Sequence, residues 1–598
     1  VARASRLARA IPWPICVVTA VAAALRFAHV EAVGPNLFYD AAVKSMSMSL
    51  HNFFFGAFDP SGVLAVDKPP LDLWLQVMSV KLFGWGQFSL RLPETLAGTL
   101  AVPLLYDAVR RAVSKPAGLA AAVALAVLPE SVLTSRSDTM DSVMMLLVIA
   151  ALWLTIRGSQ SSGRRAIVLA GVALGLAFNV KLLEALIAAP ALAVLYLLAS
   201  PAPRRRRLAV LTSGAVAMVG VGLAWPLLVT IAPGKHPWPV GSTDGSVWNA
   251  MFVFNGFGRV SGGPPGTKPG GPGPFRLLVS TGWHYDVLFG CVLAAAIVVG
   301  VAAAVWAWRA SRPGSGTPRR PLSAAFLTSL AVWIGLALFV FDVMTKVHAR
   351  YLEAFAPAVA AAVGCGAAAL AGLGAPRGAD EERRQPAIAL AVLAIVLVAA
   401  YTFSFTPRAI GWGVVSLAIA AAGAGMIARV AGPLGEAGKW LLAALIVTAA
   451  ALFPVHETLS LVRTNANDSG GLATASAANV AALSKFLEPR TSGIRYELAV
   501  DEPTALAPLV ISDHRAILPL NSFGSVRLTT VAELLRAVRA DQVRYALVGT
   551  QRCGGNNPEP AACAPPALWI RSHGVDVSAA AGLQGRSRLF LLSANSAS

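Results

Sequence analysis

Charge is scarce in this 598-residue sequence: Asp, Glu, Lys and Arg make up 13% of it, against 56% hydrophobic residues. A soluble protein of this size carries about a quarter charged residues. Other absences narrow the chemistry. His and Cys residues do not cluster at zinc-ligand spacing, and no Ser nucleophile has an evident His partner. The polar C-terminal region holds no GxGxxG or Walker sequence, so a nucleotide site there has little support. No internal repeat of the kind found in secondary transporters is visible. No small-residue cleavage site follows the first apolar stretch, which therefore reads as a retained anchor.

What is present is apolar length. The mean hydropathy is +0.64. Runs of roughly 20 apolar residues recur, each long enough to cross a bilayer core of ~30 Å. Thirteen spans are predicted, at 11–30, 92–109, 117–134, 140–156, 166–180, 183–200, 208–231, 285–308, 322–343, 351–373, 386–403, 412–429 and 440–455. The net charge of +19 would suggest nucleic acid in a soluble protein. Here the basic residues collect in short connectors, as the positive-inside rule expects, and nucleic acid is excluded as a partner. Arg3, Arg6 and Arg9 place the N-terminus inside, and clusters such as Arg204 to Arg207 fall on the same side. An odd span count puts the C-terminus outside. The fold class is thus mainly α: a polytopic helix bundle of about 13 transmembrane helices in the cytoplasmic (inner) membrane, facing the extracytoplasmic side.

Residues 457–598 are more polar. Strand-like runs (IRYELAV, AILPL, VRYALVG, RLFLLS) alternate with helix-like ones (ASAANVAALSKFL, TTVAELLRAVRA), predicting a small extracytoplasmic α/β domain. The domain division is therefore 1–456 and 457–598. Cys553 and Cys563 bracket a turn-rich segment and read as a disulfide in an outside domain, while Cys16, Cys291 and Cys365 read as packing residues.

The scarce charges outside the basic connectors gather at the outer edges of the spans. The first outer loop, 31–91, carries Asn36, Tyr39, Asp40, Asp67 and Lys68. The stretches 41–51 and 70–83 suit amphipathic interfacial helices, the second with Leu71, Trp74, Leu75 and Met78 on one face and Pro69–Pro70 at its entry. A second outer segment, 232–284, includes Asn255. Shorter outer turns hold Arg136, Asp138 and Asp141, then Lys181 and Glu184, then His348, Arg350 and Tyr351. Ionisable groups at membrane depth usually face a cavity. An outer cavity lined by acids and bases suits sugar transfer from a lipid-phosphate carrier. Lys and Arg would bind the phosphate as leaving group, and a carboxylate would take the proton of the attacking hydroxyl.

The stretches FYDAAVKSM, FFFGAFDPSGVLAVDKPPLDLWLQVMSVKLFG, SLRLPETLAG, RSDTMDSVMML, GLAFNVKLLEA and VGSTDGSVWNAMFVFNGFGR carry a resemblance. The chain resembles integral-membrane glycosyltransferases of the C superfamily (GT-C), in the protein O-mannosyltransferase and lipid A aminoarabinose transferase class, YkcB-like branch. The resemblance implies a multi-span bundle, an outward cavity and a polyprenyl-phosphate sugar donor. Lys68 matches the Lys at the donor phosphate, Arg136 and Asp141 match residues of an outer turn, and Lys181 matches the Lys after a GLAF helix. The acidic pair after the first span is replaced here by Asn36 with Asp40 further on, so the catalytic base is left between Asp40 and Asp67.

The expected assignment is thus Asp40 or Asp67 as base, and Lys68, Arg136, Lys181 and Arg350 at the donor phosphate. Asn36, Tyr39, Asp138, Asp141, Glu184, His348, Tyr351 and Asn255 are expected at sugar or acceptor. No cofactor beyond the lipid-linked donor is called for, a divalent metal is left open, and the partners are membrane lipid, the donor and a cell-envelope acceptor. Structural roles compete with these. Asp40 can cap a helix and pair with Lys44, Lys181 can pair with Glu184, and Arg136 can hold two spans together. A flippase for lipid-linked sugars and a non-catalytic envelope scaffold are the rival functions. The sequence assigns no oligomeric state.

Overall fold

The computed structural model describes residues 13–161, 163–260, 272–278, 289–290, 292–297, 322–345, 347–370, 399–404, 411, 413–416, 436–468, 474–523, 526–554 and 560–593. Most of the predicted spans at 386–403, 412–429 and 285–308, and Cys291, lie outside the described residues. The chain forms two compact units: one of 1–34, 91–223 and 268–468, the other of 35–90, 224–267 and 469–598. The unit with the C-terminal sheet thus also takes in two segments that the sequence reading assigned to the membrane domain.

The first unit is helical. Among the described residues, five helices are long and apolar enough to cross a membrane, or six if one bent pair is a single span. That pair is the predicted span 117–134. It is not continuous: Lys115–Ala126 and Pro129–Arg136 meet at 56°. The reason is Pro129, which cannot donate a helix hydrogen bond and drives the preceding residue out of helical geometry. The predicted break near NVKLLEA falls where the helix Arg164–Lys181 gives way to a tight turn, Leu182–Ala188, before the helix Ala189–Ala199.

Close helix packing here depends on missing side chains. A Cβ on Gly171 would run into the carbonyl of Gly214, and one on Gly175 would lie 2.7 Å from the Met218 carbonyl oxygen. The helices Arg164–Lys181 and Arg204–Ile231 therefore approach backbone to backbone, the arrangement that small residues allow where lipid gives apolar side chains no reason to associate.

In the second unit, the first outer segment forms the helices Leu37–Met46, Leu50–Phe55 and Leu71–Phe83. Strand β1 (Leu64–Ala65) pairs in parallel with β2 (Trp238–Pro239), joining the two outer segments. On Leu71–Phe83 the buried face is Asp72, Leu73, Gln76 and Val77, with Gln76 donating to Asp72 at 2.7 Å. The predicted apolar face of Leu71, Trp74, Leu75 and Met78 points outward, half-exposed or exposed. The C-terminal residues form a five-stranded sheet, ordered β4 (Leu518–Pro519), β3 (Ala499–Val500), β5 (Tyr545–Gly549), β7 (Ser587–Leu591) and β6 (Val575–Asp576). β3 is parallel to β4 and β5, and β7 is antiparallel to its neighbours. The strands β3, β4, β5 and β7 fall on the four strand-like runs of the sequence. The helix Val531–Arg539 begins with a capping box between Thr530 and Glu533 and buries Leu534, Ala537 and Val538. The helix Ala507–Asp513 packs on Leu37–Met46, so the outer loop and the C-terminal region share one body.

Two expectations follow. Gly171→Ala should lower the thermal-unfolding midpoint in detergent by several degrees, the scale of an overpacked contact of about 1–3 kcal/mol. Gly220→Ala should leave it in place, because a Cβ there meets open space. Separately, burial pushes the Asp501 carboxyl up to about 6, against the Gly549 N–H that donates to it. A folded pKa above the unfolded value gives stability that is complete below about pH 4 and is lost as pH rises towards 6. Hydrogen exchange at the β5 amides of the full chain should report this loss, and Asp501→Asn should remove it.

Candidate active site

The candidate residues divide between the two units. In the second, the helix Leu37–Met46 starts at Asn36, whose side chain accepts from the Tyr39 N–H at 3.4 Å. Asn36 is therefore the cap, and Asp40 is free of that duty. Asp40 does not pair with Lys44 either. Lys44 lies over the Trp85 ring, 4.7 Å from its centre. Asp40 is buried, and Gln87 donates to its Oδ2 at 3.0 Å. Its Oδ1 has no hydrogen-bond partner among the described residues.

Lys68 sits in the turn between β1 and the helix Leu71–Phe83. Its ammonium donates to Asp67 Oδ2 at 2.6 Å and to the Tyr39 hydroxyl at 3.3 Å. The turn is anchored from behind. Asn255 donates to the Asp67 carbonyl at 2.8 Å, and Arg259 donates to Asn255 Oδ1 at 2.9 Å. Burial alone would push the Asp67 carboxyl up, but the Lys68 ammonium, its hydrogen bonds and Arg259 hold it below the ordinary carboxylate range. A residue the sequence reading passed over, Asp59, shapes the approach. Its carboxylate accepts the N–H groups of Ser61 and Leu64, both at 2.9 Å, and closes the loop that leads into β1. The D-P-S-G string was the available signal, since Asp before Pro and Gly marks a side-chain-bonded turn.

In the first unit, Asp141 and Lys181 form a fully buried ion pair. Glu184 lies 3.3 Å from the same ammonium, which also sits over the Tyr351 ring at 4.9 Å. Asp141 opens the helix Asp141–Ser161, and Lys181 closes Arg164–Lys181. Each adjoins a non-glycine residue at positive φ, Met140 at 69° and Leu182 at 55°. Such backbone costs of order 1 kcal/mol and persists only where surroundings enforce it. Glu94 is the enforcing group at Asp141. It accepts the Ser142 N–H at 2.7 Å and the Val143 N–H at 3.4 Å, capping that helix from 48 residues away. Arg350 pairs with Asp468 at 3.0 Å and lies over Tyr351 at 5.6 Å, and His348 packs edge-on to Tyr351. Asp138 is buried in the same turn. Arg136 uses one nitrogen on backbone: Nη1 donates to the Leu25 carbonyl at 3.1 Å and to that of Ala28 at the end of the helix Trp13–Phe27, while Nε and Nη2 have no hydrogen-bond partner among the described residues.

Sequence reasoning missed Arg26 and Glu94, which look like ordinary span-edge charges. Arg26 is completely buried and donates to Ala126, Leu125, Ser131 and Ser135. It thereby satisfies the carbonyls freed where the 115–136 helix pair bends. Among the described residues, no group of three or more His, Cys, Asp or Glu has the arrangement of a metal site. Cys553 and Cys563 are disulfide-bonded, their Cα atoms 5.5 Å apart; Cys16 is exposed and Cys365 buried.

Comparison with known proteins bears on this arrangement. A family profile described as "Dolichyl-phosphate-mannose-protein mannosyltransferase" matches residues 67–229, and one described as "Putative mannosyltransferase YkcB-like, C-terminal" matches 483–573. Two Bacillus subtilis proteins, each named a "putative mannosyltransferase", are similar. YkcB is 33% identical over 40% of this chain, and YycA 34% over 39%. The matches span only about a third of those relatives, 33% and 34% of their lengths. Among solved structures, ArnT from Cupriavidus metallidurans bound to undecaprenyl phosphate superposes with a TM-score of 0.55 at 15% identity, covering 96% of this chain and 97% of that one. The fold is thus like that of ArnT, and the long apolar helices are those of a multi-pass membrane protein.

The buried pair supplies a test of its own. Lys181→Met strands the Asp141 carboxylate and should destabilise the protein by about 3–5 kcal/mol. Adding Asp141→Leu should restore most of the thermal midpoint, because two well-packed apolar groups replace a desolvated pair.

Proposed function

We propose that this protein transfers one sugar from a polyprenyl-phosphate-linked donor to a cell-envelope acceptor outside the cytoplasmic membrane, by direct displacement with inversion. The observation that carries the reading is the Lys68 turn. A lysine ammonium, buffered by one carboxylate and one phenol, precedes a helix whose apolar face points outward. That suits a helix lying on the bilayer with its first turn at headgroup height, where a lipid phosphate resides. The family match over 67–229 begins at this turn, and the GT-C neighbour holds undecaprenyl phosphate. The thirteen-span topology, with the N-terminus inside and the C-terminal sheet outside, belongs to the same proposal.

Lys68 takes the donor phosphate. In the resting enzyme Asp67 neutralises it; a phosphate dianion or diester competes for the same ammonium and stabilises the leaving group as charge develops. The acceptor hydroxyl oxygen attacks the anomeric carbon, the bond from that carbon to the phosphate oxygen breaks, and the phosphate departs with the electron pair. The hydroxyl proton passes to Asp40. Asp67 is held ionised by Lys68, and its depressed pKa lowers its basicity. Tyr39 steadies Lys68, and Asn255 with Arg259 fixes the turn. Lys181, Arg350 and Arg136 are assigned structural work, since each already has a carboxylate or a set of carbonyls as partner.

Purified protein in detergent should release polyprenyl phosphate from its lipid donor when acceptor is present. Lys68→Ala should reduce that release by roughly two to three orders of magnitude, the cost of losing one positioned donor to developing charge. Asp40→Asn should abolish transfer while the lipid donor still binds. Full turnover by Lys68→Ala would overturn the phosphate assignment.

A further inference from the structure

The C-terminal sheet contains a polar edge for which the fold itself has no use. From the central strand β3 the chain passes to β4 on one side and later to β5 on the other. The connections therefore diverge at the carboxyl ends of these parallel strands, the position where open α/β sheets form their binding crevice. Asp501 follows β3, Asn521 follows β4, and Gly549 ends β5. Asp501 Oδ2 accepts the Gly549 N–H at 2.8 Å. The Asn521 amide donates to the Asp501 and Ala561 carbonyls, each at 3.3 Å. Two carbonyl acceptors fix which end of that amide is nitrogen, so Oδ1 points away from both.

That Oδ1, together with Ser522 Oγ and Gln551 Oε1, is buried with no hydrogen-bond partner among the described residues. Asn521 and Ser522 are almost wholly shielded, at 0% and 4% exposure. Each such orphan costs about 1–3 kcal/mol, so three along one sheet edge are unusual in a finished core. Beside them Phe523 stands out of the fold, 43% exposed. Its ring meets that of Phe254 at 6.0 Å, and Arg259 lies over Phe254 at 5.1 Å. The next residue, Asn255, is the one that holds the Asp67 carbonyl. The polar edge thus adjoins the turn that carries Lys68, within one unit.

We propose that this edge is the acceptor subsite and that it binds a carbohydrate. The proposal rests on the transferase reading above and narrows its acceptor. The unused atoms are hydroxyl and amide oxygens, so they call for a ligand rich in donors, as a polyol is. The half-exposed phenylalanine offers a face for the C–H side of a pyranose ring. A glycan seated here would have its next hydroxyl directed along Phe254 and Asn255 to the sugar donor.

The test uses the full chain in lipid nanodiscs, with mannotriose and chitotriose as probes and a Ser/Thr-rich peptide as the rival ligand. Saturation-transfer NMR and calorimetry should show one trisaccharide binding. Phe523→Ala and Gln551→Leu, both away from the sheet core, should each weaken binding by roughly tenfold or more. Leu568→Ala, an exposed apolar position elsewhere in the sheet domain, should not. An unchanged thermal midpoint certifies that the variants are folded. The proposal fails if neither trisaccharide binds the wild type, if binding survives both substitutions, or if the peptide binds in their place. Release of polyprenyl phosphate is measured in parallel. A chain that binds the glycan but never releases the lipid phosphate sinks the transferase reading and leaves the carbohydrate site; the opposite result does the reverse.

Discussion

Burying a charge without a partner is costly, and most of the buried charges of the helical unit have one, Glu130 being an exception among the described residues. Isolated ions lose several kcal/mol of hydration on burial, more than packing can return. The buried ionisable groups therefore tie together segments far apart in sequence. Lys181 reaches 40 residues back to Asp141, and Arg350 reaches 118 residues on to Asp468. Arg26 takes the carbonyls exposed at a helix bend more than 90 residues away. Glu94 caps a helix it does not belong to. In a chain with so few charges, each such contact fixes the register of two spans, while the apolar residues between them pack with little preference of their own.

The sequence made the charged positions and the local pair Lys181–Glu184 visible, but not the long-range pairing. Lys68 could be placed because its turn is local: an acid before it, two prolines after it and an amphipathic stretch beyond. Asp59 belongs to the same local logic. Arg136 is read as a phosphate ligand from its place at a span edge among acids, and its backbone contacts are a separate matter. Its carbonyl partners at residues 25 and 28 carry no signal in side-chain identity. The break at Pro129 was readable from proline chemistry, yet the apolar run continued through it, and hydrophobicity alone cannot see a bend. The four strands of the C-terminal sheet with matching runs were legible from alternation. The edge strand Val575–Asp576, two residues long and exposed on both, left no pattern to read.

The second unit shows why a domain boundary drawn from hydropathy differs from one drawn by contact. Residues 35–90 and 224–267 are flanked by spans, so composition groups them with the membrane part. Their own cores are different. Phe38 stacks on Phe58, β1 pairs with β2, and the helix Ala507–Asp513 packs on Leu37–Met46. Ser61 even donates to the Ile517 carbonyl, 456 residues on. Polar backbone must find its hydrogen bonds in neighbouring protein or water. The outer segments find part of theirs in the C-terminal region.

That shared body bears on the chemistry proposed for Lys68. A lysine that is to release a phosphate must not hold it too tightly, and a bare ammonium at a lipid interface would. Asp67 solves this by competing for the same ammonium, so that the phosphate gains Lys68 only by displacing another anion from it. The exchange works only if Asp67 stays ionised and in place. Ionisation comes from Lys68 itself, with Arg259 adding to it. Placement comes from Asn255, whose side-chain amide donates to the Asp67 main-chain carbonyl. The second outer segment is therefore more than a cover over the first. It supplies the two residues that keep the Lys68 counter-ion available, and its Phe254 joins them to the carboxyl edge of the sheet.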